Sequence, residues 1–319
     1  MKTDQQLTGV FPVLPTPFLE DGSVDTASLR NLVRYLVQAG VDGMTFPGVA
    51  SEFAQLSLEE RLQLTALVME EVDGKVPVII GATSSDSAIS QKIARQAKEL
   101  GAVAIMVAAP AGLDMAQQIA HFTAIAQAAP GLAIMLQNVP PPVGAGLDPK
   151  DVLSIVSSVP GVSYVKEEAL PSGQRLSVLL ADAPENLKGV FGGAGGRYIT
   201  DELRRGACGT MPAIELAEVH VALFKAHRQG DVQAVQTLFT RMLPILNIQA
   251  VFRWSLTKYV LYSRGLIQAM GQRAAGPRLD SVDQKDVDAF MKDIADLLLP
   301  ESVVRSCIQT EEEVAHGAA

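Results

Sequence analysis

Two kinds of segment alternate along this chain. One is a short, continuously apolar run; the other is longer, with apolar residues at every third or fourth position, the spacing of one helix face. Gly9-Val10-Phe11-Pro12-Val13-Leu14 is the first apolar run, and Pro15-Thr16-Pro17-Phe18 ends it. Asp25 then caps a helix to about Ala39, with Leu29, Leu32, Val33, Leu36 and Val37 on one stripe, and Gly40 stops it. Gly43 to Phe46 reads as the second strand, and Ser57-Leu58-Glu59-Glu60 is a capping box for a helix to about Val72. Val76 to Ile80, Val103 to Ala108, Leu132 to Leu136 and Val162 to Val165 continue the strands. Helices are predicted between them, over Asp86 to Leu100, Met115 to Ala128 and Pro149 to Ser157. Gly173 to Leu180 and Tyr198 to Arg204 are the next helices, placing Leu187 to Phe191 and Gly206 to Met211 as the last two strands.

Strands apolar on both faces, each returning through a helix, belong to a parallel sheet. Eight such units at even spacing predict a closed (β/α)8 TIM barrel rather than an open doubly wound sheet. The first strand also lacks the GxGxxG turn of a dinucleotide-binding sheet, and Gly192-Gly193-Ala194-Gly195-Gly196 comes too late to supply it. The barrel is therefore expected over residues 1–214. Helices over Glu215 to Gln229, Asp231 to Leu246, Gln249 to Arg264 and Val282 to Leu298 predict a barrel-closing helix and a C-terminal helical cap over 215–300. A flexible tail is expected over 301–319.

Composition narrows the function classes. A net charge of −9 without a basic run leaves nucleic acid no footprint. No apolar run approaches the roughly twenty residues of a membrane span. Met1 to Gln6 leads directly into the first strand, so no signal peptide is read, and a cytoplasmic protein is expected. Cys208, Cys307 and the four histidines have no metal-ligand spacing, so neither a metal nor another cofactor is predicted.

Catalytic groups of such a barrel lie at the carboxyl ends of its strands. Those ends read Pro15-Thr16-Pro17, Gly48 to Glu52, Gly81-Ala82-Thr83, Ala108-Ala109-Pro110, Gln137 to Pro140, Lys166-Glu167-Glu168, Gly192 to Arg197 and Met211-Pro212-Ala213. Only one is a lysine. A Lys-Glu-Glu run standing alone is a solvated charge cluster, but at the mouth of an apolar barrel a lysine loses hydration and its ammonium form is disfavoured. A neutral amine is the nucleophile that forms a Schiff base with a carbonyl substrate. Alternation along the strand puts Lys166 and Glu168 on one face and Glu167 on the other. The glycine run lets backbone approach a ligand closely, and Arg197 beyond it is a candidate for a carboxylate or hydroxyl at the substrate's distal end.

The ordered combination of Gly9…Pro15-Thr16-Pro17-Phe18, Gly48…Ser51-Glu52, Asn138-Val139-Pro140 and Val165-Lys166-Glu167 resembles the dihydrodipicolinate synthase and N-acetylneuraminate lyase family. These are class I, Schiff-base aldolases and dehydratases on a barrel with a helical C-terminal extension. The resemblance implies Lys166 as the Schiff-base lysine and a small 2-keto acid as substrate. It also implies a homo-oligomer, dimer or tetramer, for which the stripe Leu243, Ile245, Leu246 and Ile248 offers apolar surface. Thr16, Ser51 and Glu52, Gln137 and Asn138, Gly193, Arg197 and Met211 become the substrate-binding candidates.

The departures from the family pattern redirect the expected reaction. Gln137 stands where the family has its proton-relay tyrosine, and an amide cannot titrate. Val49 and Ala50 replace the hydroxyl pair after strand two, and Pro142 replaces an arginine. A branch resembling L-2-keto-3-deoxyarabonate dehydratase carries the glutamine, with an acid two residues beyond the lysine. Dehydration needs a base for the C3 proton and an acid for the departing C4 hydroxyl, and one carboxyl beside the imine serves both in turn. Glu168 is that candidate. A pyruvate-dependent aldolase and a catalytically silent keto-acid-binding paralogue are the alternative expectations.

Overall fold

In the computed structural model, which describes residues 6–308, the apolar runs form eight parallel strands. They are β1 (Gly9–Val10), β2 (Met44–Phe46), β3 (Val78–Gly81), β4 (Ala104–Ala108), β5 (Ala133–Asn138), β6 (Val162–Glu167), β7 (Gly189–Gly192) and β8 (Gly209–Thr210). The hydrogen-bonded order is β1-β8-β7-β6-β5-β4-β3-β2. Between the two end strands, Gly43 N donates to Val10 O at 3.3 Å and Thr45 N to Pro12 O at 2.9 Å. The sheet is thus nearly closed on itself, a (β/α)8 barrel followed by C-terminal helices, as the alternation of segments predicts.

The helices between strands are α1 (Thr26–Gln38), α2 (Leu58–Val72), α3 (Ser87–Glu99), α4 (Met115–Ala128), α5 (Pro149–Ser158), α6 (Ser172–Ala181) and α7 (Ile199–Arg204). Their starts follow from local chemistry. The Asp25 side chain accepts from Ser28 N at 2.9 Å. Ser57 and Glu60 cap each other's backbone N–H groups at 3.1 and 2.8 Å. After the barrel come α8 (Ala217–Arg228), α9 (Val232–Phe252), α10 (Trp254–Ser263), α11 (Ser281–Asp293) and α12 (Glu301–Ser306).

The described residues divide into two compact units. One ends its first segment at Pro12 and adds Asp42–Phe46 and Pro77–Pro212; it contains all eight strands. The other comprises Val13–Val41, Pro47–Val76 and the chain from Ala213 onward. No helix among the described residues is long and apolar enough to cross a membrane.

Three details of the C-terminal region differ from the sequence expectation. The break expected near residues 246–249 lies instead at Arg253, whose φ of 40° ends α9 and begins α10 without a Gly or Pro to mark it. Ile245 and Leu246 are buried within the chain, leaving Leu243 exposed and Ile248 half-buried from the expected apolar stripe. Residues Glu301–Ser306, expected in a tail, form α12, because Val304 and the following Cys307 are buried. The rest of that expectation, over 309–319, and the reading of Met1 to Gln5 lie outside the described residues.

Inside the strand-bearing unit, the fully buried Phe191 packs edge-on against Phe11 and Tyr164, with ring centroids 5.5 and 6.3 Å away. Glycines make the room: a Cβ on Gly209 would stand 2.3 Å from the Phe191 ring, and one on Gly43 2.1 Å from that of Phe11. Phe191→Ala should cost about 3–5 kcal/mol, measured as a lowered urea midpoint with an unchanged slope.

Candidate active site

Strands β5 and β6 run beyond their apolar cores. Gln137 and Asn138 are strand residues, paired in register with Lys166 and Glu167, because backbone pairing rather than side-chain polarity decides where these strands end. Lys166 and Glu167 are in turn paired with Phe191 and Gly192 of β7. Register partners in a parallel sheet share a face, and successive residues alternate. One face therefore carries Gln137, Lys166 and Phe191; the other carries Asn138, Glu167 and Gly192.

On the first face, Lys166 Nζ lies 2.9 Å from Glu168 Oε1, and Gln137 Nε2 donates to the same oxygen at 2.7 Å. Ala194 N donates to Glu168 Oε2 at 3.2 Å. The lysine side chain is 5% exposed and the glutamate side chain 14%, so the pair is shielded from bulk water without being sealed. Burial pushes the Glu168 carboxyl up. The Lys166 charge, the Gln137 amide and the Ala194 N–H outweigh it and hold the acid below its ordinary range. The result is a carboxylate beside a lysine, with an amide that cannot titrate as its second side-chain partner.

Gly193 lies against the pair. A Cβ there would stand 2.5 Å from Glu168 Cγ and 2.8 Å from Lys166 Cε, so only glycine lets the two side chains lie along the backbone at this point. Met211 fixes the neighbouring chain: its N–H donates to Gly192 O at 3.1 Å, and its side chain is buried. Arg197 is half-buried and caps the short 3-10 turn Ala194–Gly196 that follows β7.

On the opposite face, Asn138 is used to hold the fold. Its Nδ2 donates to Glu167 Oε2 and to Leu147 O, both at 2.9 Å, and its Oδ1 accepts from Leu147 N at 2.8 Å. Glu167 Oε1 accepts from Ala169 N at 2.8 Å and lies 3.3 Å from Arg175 Nε. Burial raises the Glu167 carboxyl above its ordinary range despite the Asn138 and Arg175 contacts. Asn138 thus stands apart from the Lys166 group, a separation that the pleat produces.

The remaining candidates belong to the other unit. Thr16 Oγ1 donates to Ser51 O at 2.7 Å, and Ser51 Oγ donates to Leu14 O while accepting from Gly48 N at 2.8 Å. Glu52 adopts a left-handed backbone, φ 56°. Its Oε1 accepts from Lys258 Nζ, and its Oε2 accepts from the N–H groups of Arg273 and Ala274 at 2.7 and 2.6 Å. Lys258 also donates to Gly271 O and stands 4.3 Å from the Phe18 ring centroid. Burial lowers this lysine to about 8, although Glu52 opposes the shift. Trp254, read from the sequence as cap packing, donates its indole N–H to Val49 O at 2.8 Å. Sequence reasoning missed Lys258 and Arg273 as supports of the loop after β2, since a lone lysine on a helix carries no signal of a partner two hundred residues away. Among the described residues no group of three or more His, Cys, Asp or Glu side chains is arranged to hold a metal ion.

The model of the dihydrodipicolinate synthetase family matches residues 6–294. The 4-hydroxy-tetrahydrodipicolinate synthase of Acidobacterium capsulatum is 30% identical over 244 residues, covering 76% of this chain and 80% of that protein. The L-2-keto-3-deoxyarabonate dehydratase of Azospirillum brasilense is 26% identical over 296 residues, covering 91% of this chain and 96% of the relative. The crystal structure of dihydrodipicolinate synthase from Rhodopseudomonas palustris superposes with a TM-score of 0.83 at 25% identity, over 90% of this chain and 97% of that one.

Two outcomes follow from the geometry. Gly193→Ala should displace Lys166 or Glu168 and lower turnover by at least about tenfold while leaving the unfolding midpoint close to wild type, because the clash is with two side chains at a partly open edge. Lys258→Met should cost about 3–5 kcal/mol in urea unfolding, since it strands the buried Glu52 carboxylate, whereas the double change with Glu52→Gln should cost less than the single one.

Proposed function

The chain belongs to the dihydrodipicolinate synthetase family, whose members are lyases of the Schiff-base type, and within that family we propose that it dehydrates a 2-keto-3-deoxy sugar acid through an imine on Lys166. One observation carries the choice of reaction: the group beside the lysine is a carboxylate, Glu168, held by the amide of Gln137. Retro-aldol cleavage needs a base on the C4 hydroxyl, the work of the family's tyrosine, and the amide at 137 cannot titrate. Dehydration needs a group that takes a proton and then returns it.

In this reading the Lys166 amine adds to the C2 carbonyl and water leaves as the imine forms. The imine draws electrons from C3, and the Glu168 carboxylate takes the C3 proton. The electron pair left on C3 expels the C4 hydroxyl, which departs as water with the proton now on Glu168. The carboxylate is restored, and hydrolysis of the imine frees the lysine. The Ala194 N–H and the Gln137 amide keep Glu168 oriented through both transfers. Similarity to the Azospirillum dehydratase, which extends over nearly the whole of both chains, supports the same branch. A homo-oligomer belongs to the same proposal, and light scattering at micromolar concentration checks it.

Incubation with a 2-keto-3-deoxypentonate, followed by mass spectrometry, separates the reactions. Loss of one water supports the dehydratase; pyruvate plus a two-carbon aldehyde means C3–C4 cleavage and the aldolase. Pyruvate with cyanoborohydride should place a three-carbon adduct on Lys166 and none on Lys166→Ala. Glu168→Gln should retain that adduct yet lose about 10²–10⁴-fold in kcat, and near-wild-type turnover by this variant would move the proton transfer to another group.

A further inference from the structure

Behind the Lys166–Glu168 pair, on the helix side of the same strands, lies a carboxyl that the chemistry above does not use. Glu202 of α7 is 1% exposed. Its Oε1 accepts from Ser172 Oγ of α6 at 2.7 Å, whereas Oε2 has no hydrogen-bond partner among the described residues. That oxygen sits where a Cβ on Gly192 would project, 1.9 Å from its ideal position. The next residue, Gly193, is packed by Glu168 and Lys166. Glu202 and Glu168 therefore press on successive glycines at the end of β7, from opposite faces.

An unpaired oxygen on a buried carboxylate is costly, and a neutral carboxylic acid is far less so. Burial comes first among the causes that push Glu202 up to about 7; Ser172 opposes it, and the charges of Glu168, Asp201 and Glu167 add to it. The charged groups around it are Glu167 and Glu168 at the end of β6, with Lys166 paired to Glu168. From α6, Arg175 lies 3.3 Å from Glu167, and within α7 Asp201 pairs with Arg205, just beyond the helix, at 3.0 Å. The strand residue against Glu202, Gly192, carries no charge.

We infer that Glu202 is a positioning residue that sets the charge of the Lys166–Glu168 pair: neutral, it adds nothing to the pair, and ionised, it favours the ammonium form of Lys166, which cannot attack a carbonyl. The inference rests on the imine reading above. Coupling between the two carboxyls is reciprocal, so the Glu168 charge that adds to burial in keeping Glu202 neutral vanishes at the moment Glu168 takes the C3 proton. Above neutral pH, Glu202 becomes a second negative charge beside the site, and the lysine should be captured less readily.

The test measures the rate of adduct formation on Lys166 with pyruvate and cyanoborohydride from about pH 6 to about pH 8.5, in wild type and in Glu202→Gln. The two should match near the acid end. Above neutrality the wild type should fall behind the variant by up to about tenfold. Ser172→Ala removes a donor that favours the ionised form, so it should move the wild-type break to higher pH. Infrared spectroscopy should find a protonated carboxyl band in the wild type at about pH 6 that is absent from Glu202→Gln and lost by about pH 8. Superimposable pH profiles, or no such band in the wild type, overturns the inference. If Glu202→Gln does not fold, an unmoved break in Ser172→Ala overturns it instead. A wild type that takes no label at any pH refutes the imine reading, and the infrared band then decides the protonation of Glu202 by itself.

Discussion

The site depends on keeping one lysine and one carboxylate together in a place that water reaches poorly. Neither charge is stable there alone: each would have to be neutralised or lose the hydration that solvent provides. Lys166 and Glu168 meet that constraint by pairing at 2.9 Å, and the Gln137 amide and Ala194 N–H complete the carboxylate's hydrogen bonds. Those partners come from three places in the chain, β5, the end of β6 and the turn after β7. The parallel register of the strands aligns the first two, and a glycine at 193 admits the third.

The pleat of β6 separates two kinds of polar work that lie side by side in sequence. Lys166 and Glu168 pair on one face with the Gln137 amide, whereas Glu167 joins Asn138 and Arg175 on the other and ties β5 and β6 to α6. Glu202 with Ser172 extends that outer layer. A strand ending in alternating charged residues thus holds the candidate site on one face and an anchored framework on the other. The Glu168 charge nonetheless reaches the outer layer and adds to the burial that raises the Glu202 carboxyl.

The second unit shows a related device. The loop after β2 carries Glu52 in a left-handed conformation, and both of its carboxylate oxygens are taken by Lys258 and by the backbone of residues 273 and 274. Trp254 holds the Val49 carbonyl of the same loop. Val49 and Ala50, which carry no hydroxyl, therefore sit in a loop fixed by its backbone and by a neighbouring acid rather than by their own side chains.

Much of this was legible in the sequence, for identifiable reasons. Continuous apolar runs between helix-periodic segments dictate a parallel sheet covered on both faces, and eight such units at even spacing close it into a barrel. Alternation along β6 dictates that Lys166 and Glu168 share a face and that Glu167 does not. Helix starts at Asp25 and Ser57 follow from local hydrogen bonding within four residues. What the sequence left undecided depends on contacts between residues far apart in the chain. Pairing with β6 extends β5 through Asn138, beyond the apolar run, and the pleat then places Gln137 and Asn138 on opposite faces. Nothing near Glu52 in the sequence signals that Lys258 and the backbone of Arg273 and Ala274 donate to its carboxylate. Glu202 carried no signal at all, because a glutamate in a short amphipathic helix is ordinarily solvated. Only the packing of α7 against the glycine end of β7 buries it, and burial, a property of the tertiary structure alone, makes its charge matter.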